Sequence, residues 1–381
     1  MLLIDFFEKT PISSLVPVNS IRPDRVVYLI DSSHLESLEA RHMRKAVEGL
    51  GCVREFAYRP VDIKNVNSIR ECLMGIIGRS REGEEVYIDL TGGSELMVAA
   101  GYSITRETKA HSVYADMDRC EIVLVEDLSV LCSVNHITSR DYLTSIGAKR
   151  LRDSHSEPTE EEREHVFAIA EILFQRTGDW HALSEAIAKA VQGTDRMEFS
   201  LPEKLFTGEG GQSEQTMDPA DLLNAFTEHG FLRRTGENRY AFTKSKYREY
   251  MTVYGIWLEM YVYLKGKELF DEAYIGIVLD WNTDDANDSE DNEVDVVFLR
   301  NSIPYFISCK MRRIEAADIY EIGFVAHHFG GNYAKRFIAT SHPLNGNKPG
   351  QRSLLAKLRN MNVGLLVAED IKEQGIEALI E

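Results

Sequence analysis

The sequence lacks any apolar run approaching the ~18 residues that a membrane-spanning helix needs. Its first residues carry no basic cluster ahead of an apolar segment, and they meet acidic side chains at once. They therefore predict a first β-strand and not a signal peptide. Together these absences argue against a membrane partner.

Cysteine is scarce, since the 381 residues include only five, and no two of them form a CxxC pair. A disulfide framework and a cysteine-rich zinc site are not expected, and a reducing cytoplasm fits this composition. Positive charge is also in deficit, because the formal net charge is −18. This argues against a protein that coats nucleic acid through bulk charge, although an enzyme with a local basic groove stays open.

What remains is the composition of a globular protein, with 44% hydrophobic and 27% charged residues. The chain is too long for one ordinary core, so we expect two domains with room for a small third.

Residues 1 to about 126 alternate short apolar runs with helical patterns. Repeated β and α units of this length predict an α/β fold with a mostly parallel sheet and helices on both faces. The predicted strands lie at 2–7, 26–30, 53–57, 86–90, 112–115 and 122–125, and the main helices at 32–50, 62–77 and 94–105. Ligands of such sheets bind beyond the carboxyl ends of the strands.

Two loops fall at that edge. One consists of Glu8, Lys9, Thr10 and Pro11, and the other of Thr91, Gly92, Gly93 and Ser94. Paired glycines let backbone N–H groups approach a phosphate, and the helix N-terminus that follows adds a favourable dipole. The alternative is an ordinary turn with a Ser or Thr cap. Neither a GxGxxG nor a Walker A motif is present, which disfavours a dinucleotide cofactor.

The run from Asp89 to Met97, a strand that ends in Leu-Thr-Gly-Gly-Ser and opens a helix, resembles the signature loop of CARF domains. These are the cyclic-oligoadenylate sensors of type III CRISPR systems. The loop after the first strand falls where that family places a second ligand-contacting segment. The resemblance covers roughly residues 1–150 and implies a Rossmann-like sensor domain in which both loops contact the ligand.

Residues 152–158 are predicted to be a polar linker, and residues 159–245 a connecting region. A helix at 220–228 and a hairpin that turns at Gly236 are typical of a winged helix. This region either contacts nucleic acid through its arginines or acts as a spacer between sensor and effector. The acidic residues nearby favour the spacer. The arginines are Arg233, Arg234 and Arg239.

Glu259 lies within a strongly apolar helical run from 250 to 264. A carboxylate there needs a cation, a hydrogen bond or a proton. The alternative is a partly exposed helical glutamate.

Two apolar runs, 293–299 and 304–310, flank Asn301 and Ser302 and predict a β-hairpin with a two-residue turn. Counting outward from the turn places Asp295 opposite Ser308.

The same register places Glu293 opposite Lys310, so that Glu293, Asp295, Ser308 and Lys310 share one face. The alternative is a solvated face with a cross-strand ion pair. The acidic stretch at 280–295 lacks the spacing and glycine of an EF-hand and is predicted to be mostly a solvated loop.

The hairpin resembles the PD-(D/E)xK nuclease core, with Asp295 as its aspartate and Ser308, Cys309 and Lys310 at the (D/E)xK position. Ser308 departs from the pattern, which costs one metal ligand, and Glu259 or Glu293 could replace it. A subset of CARF-linked nucleases carries Ser-Cys-Lys here. The resemblance implies a restriction-endonuclease-like domain over residues 246–381.

The resemblance further implies a homodimeric endonuclease that cleaves DNA, RNA or both and is activated by cyclic tetra-adenylate. Its implied catalytic residues are Glu259, Asp295, Ser308 and Lys310. Manganese or magnesium would be held by Glu259, Glu293, Asp295 and the backbone carbonyl of Cys309. The ion would polarise the scissile phosphate, and Lys310 would orient the attacking water or offset the growing charge.

Two other functions are considered. The first is a ligand-responsive transcriptional regulator with a degenerate nuclease fold, against which the net charge and the Asp295–Lys310 pair both argue. The second is a sensor that degrades its own cyclic ligand, for which no catalytic trio is evident near Thr91.

Overall fold

The computed structural model describes residues 1–206, 216–280 and 291–380. The core of the predicted acidic loop, residues 281–290, lies outside them. Within those ranges, no helix is both long and apolar enough to cross a lipid bilayer.

The N-terminal region contains seven strands that form one sheet, here called the N-terminal sheet. They are β1 (Leu2–Phe6), β2 (Arg25–Asp31), β3 (Glu55–Val61), β4 (Val86–Asp89), β5 (His111–Asp116), β6 (Glu121–Leu124) and β7 (Val130–Ser133). Its helices are α1 (Pro11–Ile21), α2 (Leu38–Gly49), α3 (Val66–Ile77), α4 (Glu95–Thr105) and α5 (Ser139–Ser145), and strand β8 (Lys149–Asp153) follows.

The strand order is β3-β2-β1-β4-β5-β6-β7, parallel from β3 to β5 and antiparallel from β5 to β7. Every residue of β1 is buried, because apolar clusters cover both faces of the sheet. The sequence predicts six of these strands. It misses β7, a short strand whose residues are exposed or only partly buried and so carry no apolar alternation.

The middle region is mainly helical and includes a small sheet of order β12-β13-β9. Its elements are α6 (Arg163–Gln175), α7 (Thr177–Val191), β9 (Glu198–Ser200), β10 (Leu205–Phe206), β11 (Thr216–Met217), α8 (Ala220–Glu228), β12 (Leu232–Gly236), β13 (Arg239–Phe242) and α9 (Ser245–Thr252). The predicted helix and hairpin are present. The turn lies one residue later than predicted, because Asn238 adopts the left-handed conformation with a φ of 52°.

The last region supplies five strands of a second sheet, here called the C-terminal sheet. Its elements are α10 (Ile256–Gly266), β14 (Glu272–Asp280), β15 (Asp291–Arg300), β16 (Ile303–Lys310), α11 (Ala316–Gly330), β17 (Lys335–Thr340), α12 (Pro349–Asn360), β18 (Gly364–Val367), α13 (Ala368–Gln374) and α14 (Glu377–Ile380). The strand order is β18-β17-β16-β15-β14-β8.

Strand β8 therefore leaves the N-terminal region to become an edge of the C-terminal sheet. Arg152 and Asp153 pair with β14 and are not part of a linker, which corrects the sequence-based interpretation of that segment. The α/β fold class is confirmed, with a mostly parallel N-terminal sheet, a mainly helical middle region and a mixed C-terminal sheet. The domain limits predicted at 150, 159 and 246 stay predictions, and β8 spans the first of them.

The hairpin of β15 and β16 has the predicted register from its turn as far as the pair Val296–Ile307. Asn301 and Ser302 have φ values of 52° and 69°, as a two-residue turn that matches strand twist requires. Ser302 is fully buried, and its hydroxyl accepts a hydrogen bond of 2.8 Å from the N–H of Ile137. The closed end of the hairpin is thus embedded in the N-terminal region.

Candidate functional site

Asp295 lies near the open end of this hairpin, beyond the last pair of its ladder. Its Oδ2 accepts the N–H of Cys309 at 2.6 Å, and the hydroxyl of Ser308 lies 3.3 Å from the same oxygen. The Nζ of Lys310 lies 3.7 Å from it. The structure therefore brings Asp295, Ser308 and Lys310 together, as the sequence predicts.

Glu293 does not face Lys310, which is a correction. Val294 and Val297 both pack on the α11 side of the sheet, whereas Val296 packs on the α10 side, so the alternation of strand β15 breaks at Asp295. Beyond this break Glu293 pairs with Val278 of β14. Counting from the turn assumed an unbroken alternation, and a bulge-like irregularity is what that counting cannot foresee.

Glu259 extends from α10 toward the same pocket and is 6% exposed. Within the described chain its Oε2 has no hydrogen-bond partner. Burial, and then the charge of Asp295, raise the pKa of Glu259 to about 8. Glu259 is therefore a buried carboxyl group within an apolar helix, and the alternative of a partly exposed glutamate is excluded.

The other ionisable groups of the pocket are shifted by the same causes. Burial raises the pKa of Asp295, while Lys310 and the N–H of Cys309 oppose that rise. Burial lowers the pKa of Lys310, but Asp295 and two further acids outweigh it, so the net shift is upward and keeps the ammonium charged. Burial raises the pKa of the Cys309 thiol well above its ordinary value.

His155 also reaches this pocket, and the sequence analysis missed it. Its Nε2 lies 3.3 Å from Oε2 of Glu259 and 3.5 Å from Oε1 of Glu293. Burial lowers the pKa of His155, yet a hydrogen bond with Glu249 and the charges of its neighbours raise it overall. No sequence signal links this histidine to the hairpin, because it follows an edge strand that has the composition of a linker.

A divalent cation fits the acidic side of the pocket. A cation would bind the Glu259 oxygen that lacks a hydrogen bond, and it would relieve the mutual repulsion of Glu259 and Asp295. Carboxylate and carbonyl oxygens suit magnesium or manganese. In the part of the chain that the structure describes, no three His, Cys, Asp or Glu side chains form a complete ligand group. A cation bound here would therefore need further oxygen ligands from the backbone, water or the substrate.

At the edge of the N-terminal sheet, Thr91 and its glycines form the predicted turn between β4 and α4. The N–H and hydroxyl of Thr91 donate to Oδ1 of Asp89 at 2.9 and 2.6 Å, and the same hydroxyl accepts the N–H of Ala115 at 2.8 Å. Ser94 caps α4 by accepting the N–H of Met97 at 3.4 Å. These hydroxyls hold the loop in shape.

Glu8 joins the two predicted ligand loops. Its carboxylate accepts the N–H of Gly93 and the hydroxyl of Ser13, each at 2.8 Å. Gly93 has a φ of 92°, and a Cβ there would lie 2.7 Å from Cβ of Phe6. A Cβ on Gly92 would lie 3.1 Å from Cβ of Ser13. Both glycines are thus required by local packing, whatever the loop binds.

The rest of the first loop is divided between the surface and the interior. Lys9 is exposed and pairs with Glu39, whereas Pro11 is buried at the first turn of α1. Thr10 faces the C-terminal sheet, since a Cβ on Gly331 would lie 3.2 Å from its methyl carbon. A cavity of about 340 Å³ opens here, lined by Phe7, Glu8, Lys9, Asp31, His34, Ile63, Gly93, Ser94 and Met97. Asp31 and His34 are additional candidates for ligand contact.

Directly beneath these loops, Asp5 and Asp89 lie side by side on β1 and β4, one residue beyond the pair Ile4–Ile88. Both are fully buried. Neither oxygen of Asp5, nor Oδ2 of Asp89, has a hydrogen-bond partner among the described residues. Burial and then Asp89 raise the pKa of Asp5 well above its ordinary value, and burial raises that of Asp89 to about 7.

Comparison with known proteins gives structural matches only. No protein-family model matches the chain, and no curated protein sequence matches it significantly. Protein VC1899 from Vibrio cholerae matches with a TM-score of 0.80 at 14% identity, over 99% of this chain and 97% of that one. Can2 from Sulfobacillus thermosulfidooxidans, in complex with cyclic tetra-adenylate, matches with a TM-score of 0.72 at 18% identity, over 100% and 99% of the two chains.

This chain has their fold. A type III CRISPR defence DNA nuclease activated by cyclic oligoadenylate also matches, with a TM-score of 0.53 at 16% identity, over 89% of this chain and 45% of that one. The predicted architecture, an N-terminal α/β region joined to a C-terminal α/β region, is thereby confirmed from one end of the chain to the other. What the loops bind and what the pocket cleaves are separate questions.

Proposed function

We propose that this chain is a metal-dependent endonuclease of type III CRISPR antiviral defence, activated by cyclic tetra-adenylate and acting on DNA, RNA or both. The observation that carries the proposal is the pocket at the open end of the hairpin, where Glu259, Asp295 and Lys310 lie together. Two fold neighbours support it, since one binds cyclic tetra-adenylate and another is a nuclease activated by cyclic oligoadenylate.

A bound manganese or magnesium ion would polarise the scissile phosphate and stabilise the charge on the leaving oxygen. Glu259 and Asp295 would hold the ion, with Glu293 and the carbonyl of Cys309 as further donors. Lys310 would direct its ammonium at the negative charge that grows on phosphorus, where a prepositioned cation has most effect.

Ser308 stands where the nuclease pattern has an acid. Its hydroxyl lies near Oδ2 of Asp295, which already accepts the N–H of Cys309. We assign to Ser308 the role of fixing Asp295 in orientation, while Glu259 takes over the part of the missing acid.

The activator would bind at the edge of the N-terminal sheet, across the two-fold axis of a homodimer. A ring of four identical nucleotides is itself two-fold symmetric, so two copies of the same loops can grip it equally. The Gly93 N–H donates to the carboxylate of Glu8, so an anionic oxygen already occupies this position. Phosphates of the ring would meet this loop and the α4 N-terminus, with Lys9 as a nearby cation.

Activation requires that the ligand favour one arrangement of the two sheets over another. A difference of about 5 kcal/mol would convert a rare active arrangement into the dominant one. The winged-helix-like region is one route by which ligand binding would change the arrangement of the two sheets. The embedded turn at Ser302 and the contact of Thr10 with Gly331 offer a shorter one, because they join the ligand loop region directly to the C-terminal sheet.

The test is to incubate the full chain with plasmid DNA or single-stranded RNA, with manganese or magnesium, and with or without cyclic tetra-adenylate. Lys310→Ala serves as the matched inactive variant. We expect cleavage only with metal, and a strong increase when the activator is added. Cleavage by Lys310→Ala at the parent rate, or no cleavage of either substrate by the parent protein, would contradict the proposal.

A further inference from the structure

The chain that follows β8 is built into the wall of the pocket. The N–H of Ser154 donates to the carbonyl of Gly276 at 2.6 Å, and the Ser154 hydroxyl contacts the same carbonyl at 2.8 Å. Gly276 has a φ of 55°, and a Cβ there would lie 2.6 Å from Oγ of Ser154 and 2.7 Å from Cδ2 of His155. Only glycine at this position lets Ser154 and His155 lie so close to β14.

His155 is enclosed by carboxylates from three different elements. Its Nδ1 lies 2.8 Å from Oε1 of Glu249 on α9, and its Nε2 faces Glu259 on α10 and Glu293 on β15 at 3.3 and 3.5 Å. The side chain is only 11% exposed. Glu249 thus fixes the plane of the ring, and the opposite nitrogen points between two acids of the pocket.

On this geometry we propose that His155 is a positioning residue, which holds Glu259 in the orientation needed to bind the divalent metal, while the Ser154 hydroxyl donates to Glu293. The inference rests on the proposed function. A histidine that is itself oriented by a carboxylate is a common outer support of metal ligands, and loss of such supports typically weakens metal binding about 10- to 100-fold. Without the ring, Glu259 would lose its only close cationic or donor neighbour on that side of the pocket, within the described residues.

The experiment measures manganese binding to the full-length protein by calorimetry. We expect His155→Ala to raise the Kd for manganese about 10- to 100-fold. His155→Gln places an amide N–H near the position of Nε2 and should restore the Kd to within about threefold of the parent value. His155→Asn reaches only toward Glu249 and should not restore it.

The matched control is His136→Ala, because His136 also lies against two acids, Glu272 at 2.8 Å and Asp271 at 3.4 Å, but at the other end of the hairpin. Its manganese Kd should equal that of the parent. Thermal melting of every variant separates a local effect from unfolding, and the comparison of the Gln and Asn variants holds even if His155→Ala folds poorly.

Three results would overturn the inference. Parent-like manganese binding by His155→Ala would show that the ring positions nothing, and equal binding by the Gln and Asn variants would show that Nε2 is not the contact that matters. Electron spin-echo modulation from histidine nitrogen in the parent protein would make His155 a direct ligand. If the parent protein neither binds manganese nor cleaves nucleic acid, the proposed function fails together with the inference. A parent protein that does both, beside an unaffected His155→Ala, refutes the inference alone.

Discussion

The N-terminal sheet and the C-terminal sheet each bury a pair of carboxyl groups, but in different surroundings. Asp5 and Asp89 make no ion pair within the described residues, and burial raises the pKa of both. Burial also raises the pKa of Glu259 and of Asp295, yet His155 lies against Glu259 and Lys310 lies against Asp295. The side chain of Asp295 is also partly exposed. The surroundings of the first pair favour protonated carboxyl groups, whereas those of the second pair favour the binding of a cation.

The largest expected difference between the pairs is in catalysis. Lys310→Ala should lower cleavage about 10²- to 10³-fold, the usual effect of removing a group that stabilises charge in the transition state. Asp5→Asn should leave cleavage within about twofold of the parent when the activator is saturating. Rates on plasmid DNA and RNA, measured with both metals, check the contrast. Equal losses of cleavage rate in the two variants would contradict this expected difference.

The second-largest difference between the two carboxyl pairs is expected in metal binding. Glu259→Gln removes a carboxylate from the cation pocket, so its manganese affinity should fall at least about 10-fold. Asp5→Asn should bind manganese as the parent does. Calorimetric titration of both variants is the measurement, and a parent-like Kd for Glu259→Gln would remove this residue from the metal site.

Asp5→Asn, which should leave cleavage and metal binding unchanged, should increase the stability of the protein. Asp5→Asn replaces a buried carboxyl that makes no ion pair among the described residues by a neutral group of equal shape, so the free energy of unfolding at about pH 7.5 should rise by about 1–3 kcal/mol. Denaturant unfolding gives this value. A loss of stability would mean that Asp5 has a partner that the geometry does not reveal.

The pH dependence of stability should carry the signature of the same pair. The pKa of Asp89 is about 7 in the folded protein, above its unfolded value, and that of Asp5 is also raised. The folded state therefore binds more protons between about pH 4 and pH 7. Its stability is greatest below the unfolded pKa and declines as pH rises through the folded pKa. Asp5→Asn, compared with the parent in metal-free buffer, should reduce this decline. Identical slopes would contradict the assignment.

The smallest effect is expected at the ligand loops. Lys9→Ala should weaken binding of cyclic tetra-adenylate by about 1 kcal/mol, as for loss of one exposed cation. Glu39→Gln frees Lys9 from its ion pair and should strengthen binding or leave it unchanged. Fluorescence titration of the two variants tests the opposite signs. Replacing Gly92 and Gly93 is a poorer test, because side chains at those positions would strain the loop itself.

The hairpin was predictable in detail because alternation and turn chemistry are local. Two strands of β-favouring residues around Asn301 and Ser302 fix the register near the turn, and this register is confirmed up to Val296 and Ile307. The same rule failed at Glu293, where the alternation breaks beside Gly276 of the neighbouring strand. The sequence of strand β15 alone carries no sign of that break, which lies beside Gly276 of β14 and the segment that follows β8.

The two loops at the edge of the N-terminal sheet show a different limit. The Thr-Gly-Gly-Ser run predicted the right turn between the right elements. Its hydroxyls and two of its N–H groups, however, are hydrogen-bonded to Asp89, Ala115, Met97 and Glu8. Sequence can place such groups at an edge of a sheet. It cannot say which of them stay available to a ligand, because that depends on side chains such as Glu8, which lies 85 residues away from Gly93.

The buried turn at Ser302 constrains how this protein can be taken apart. At the tip of the hairpin Asn301 is exposed, but Ser302 accepts the Ile137 N–H and Ile303 packs against the core of the N-terminal region. An excised fragment that begins at residue 246 would expose this tip and would also lack the edge strand β8. The N-terminal and C-terminal regions therefore should not be exchangeable independently of each other. Chimeras that join either region to another protein should fold only when the hairpin tip and the residues that contact it are transferred together.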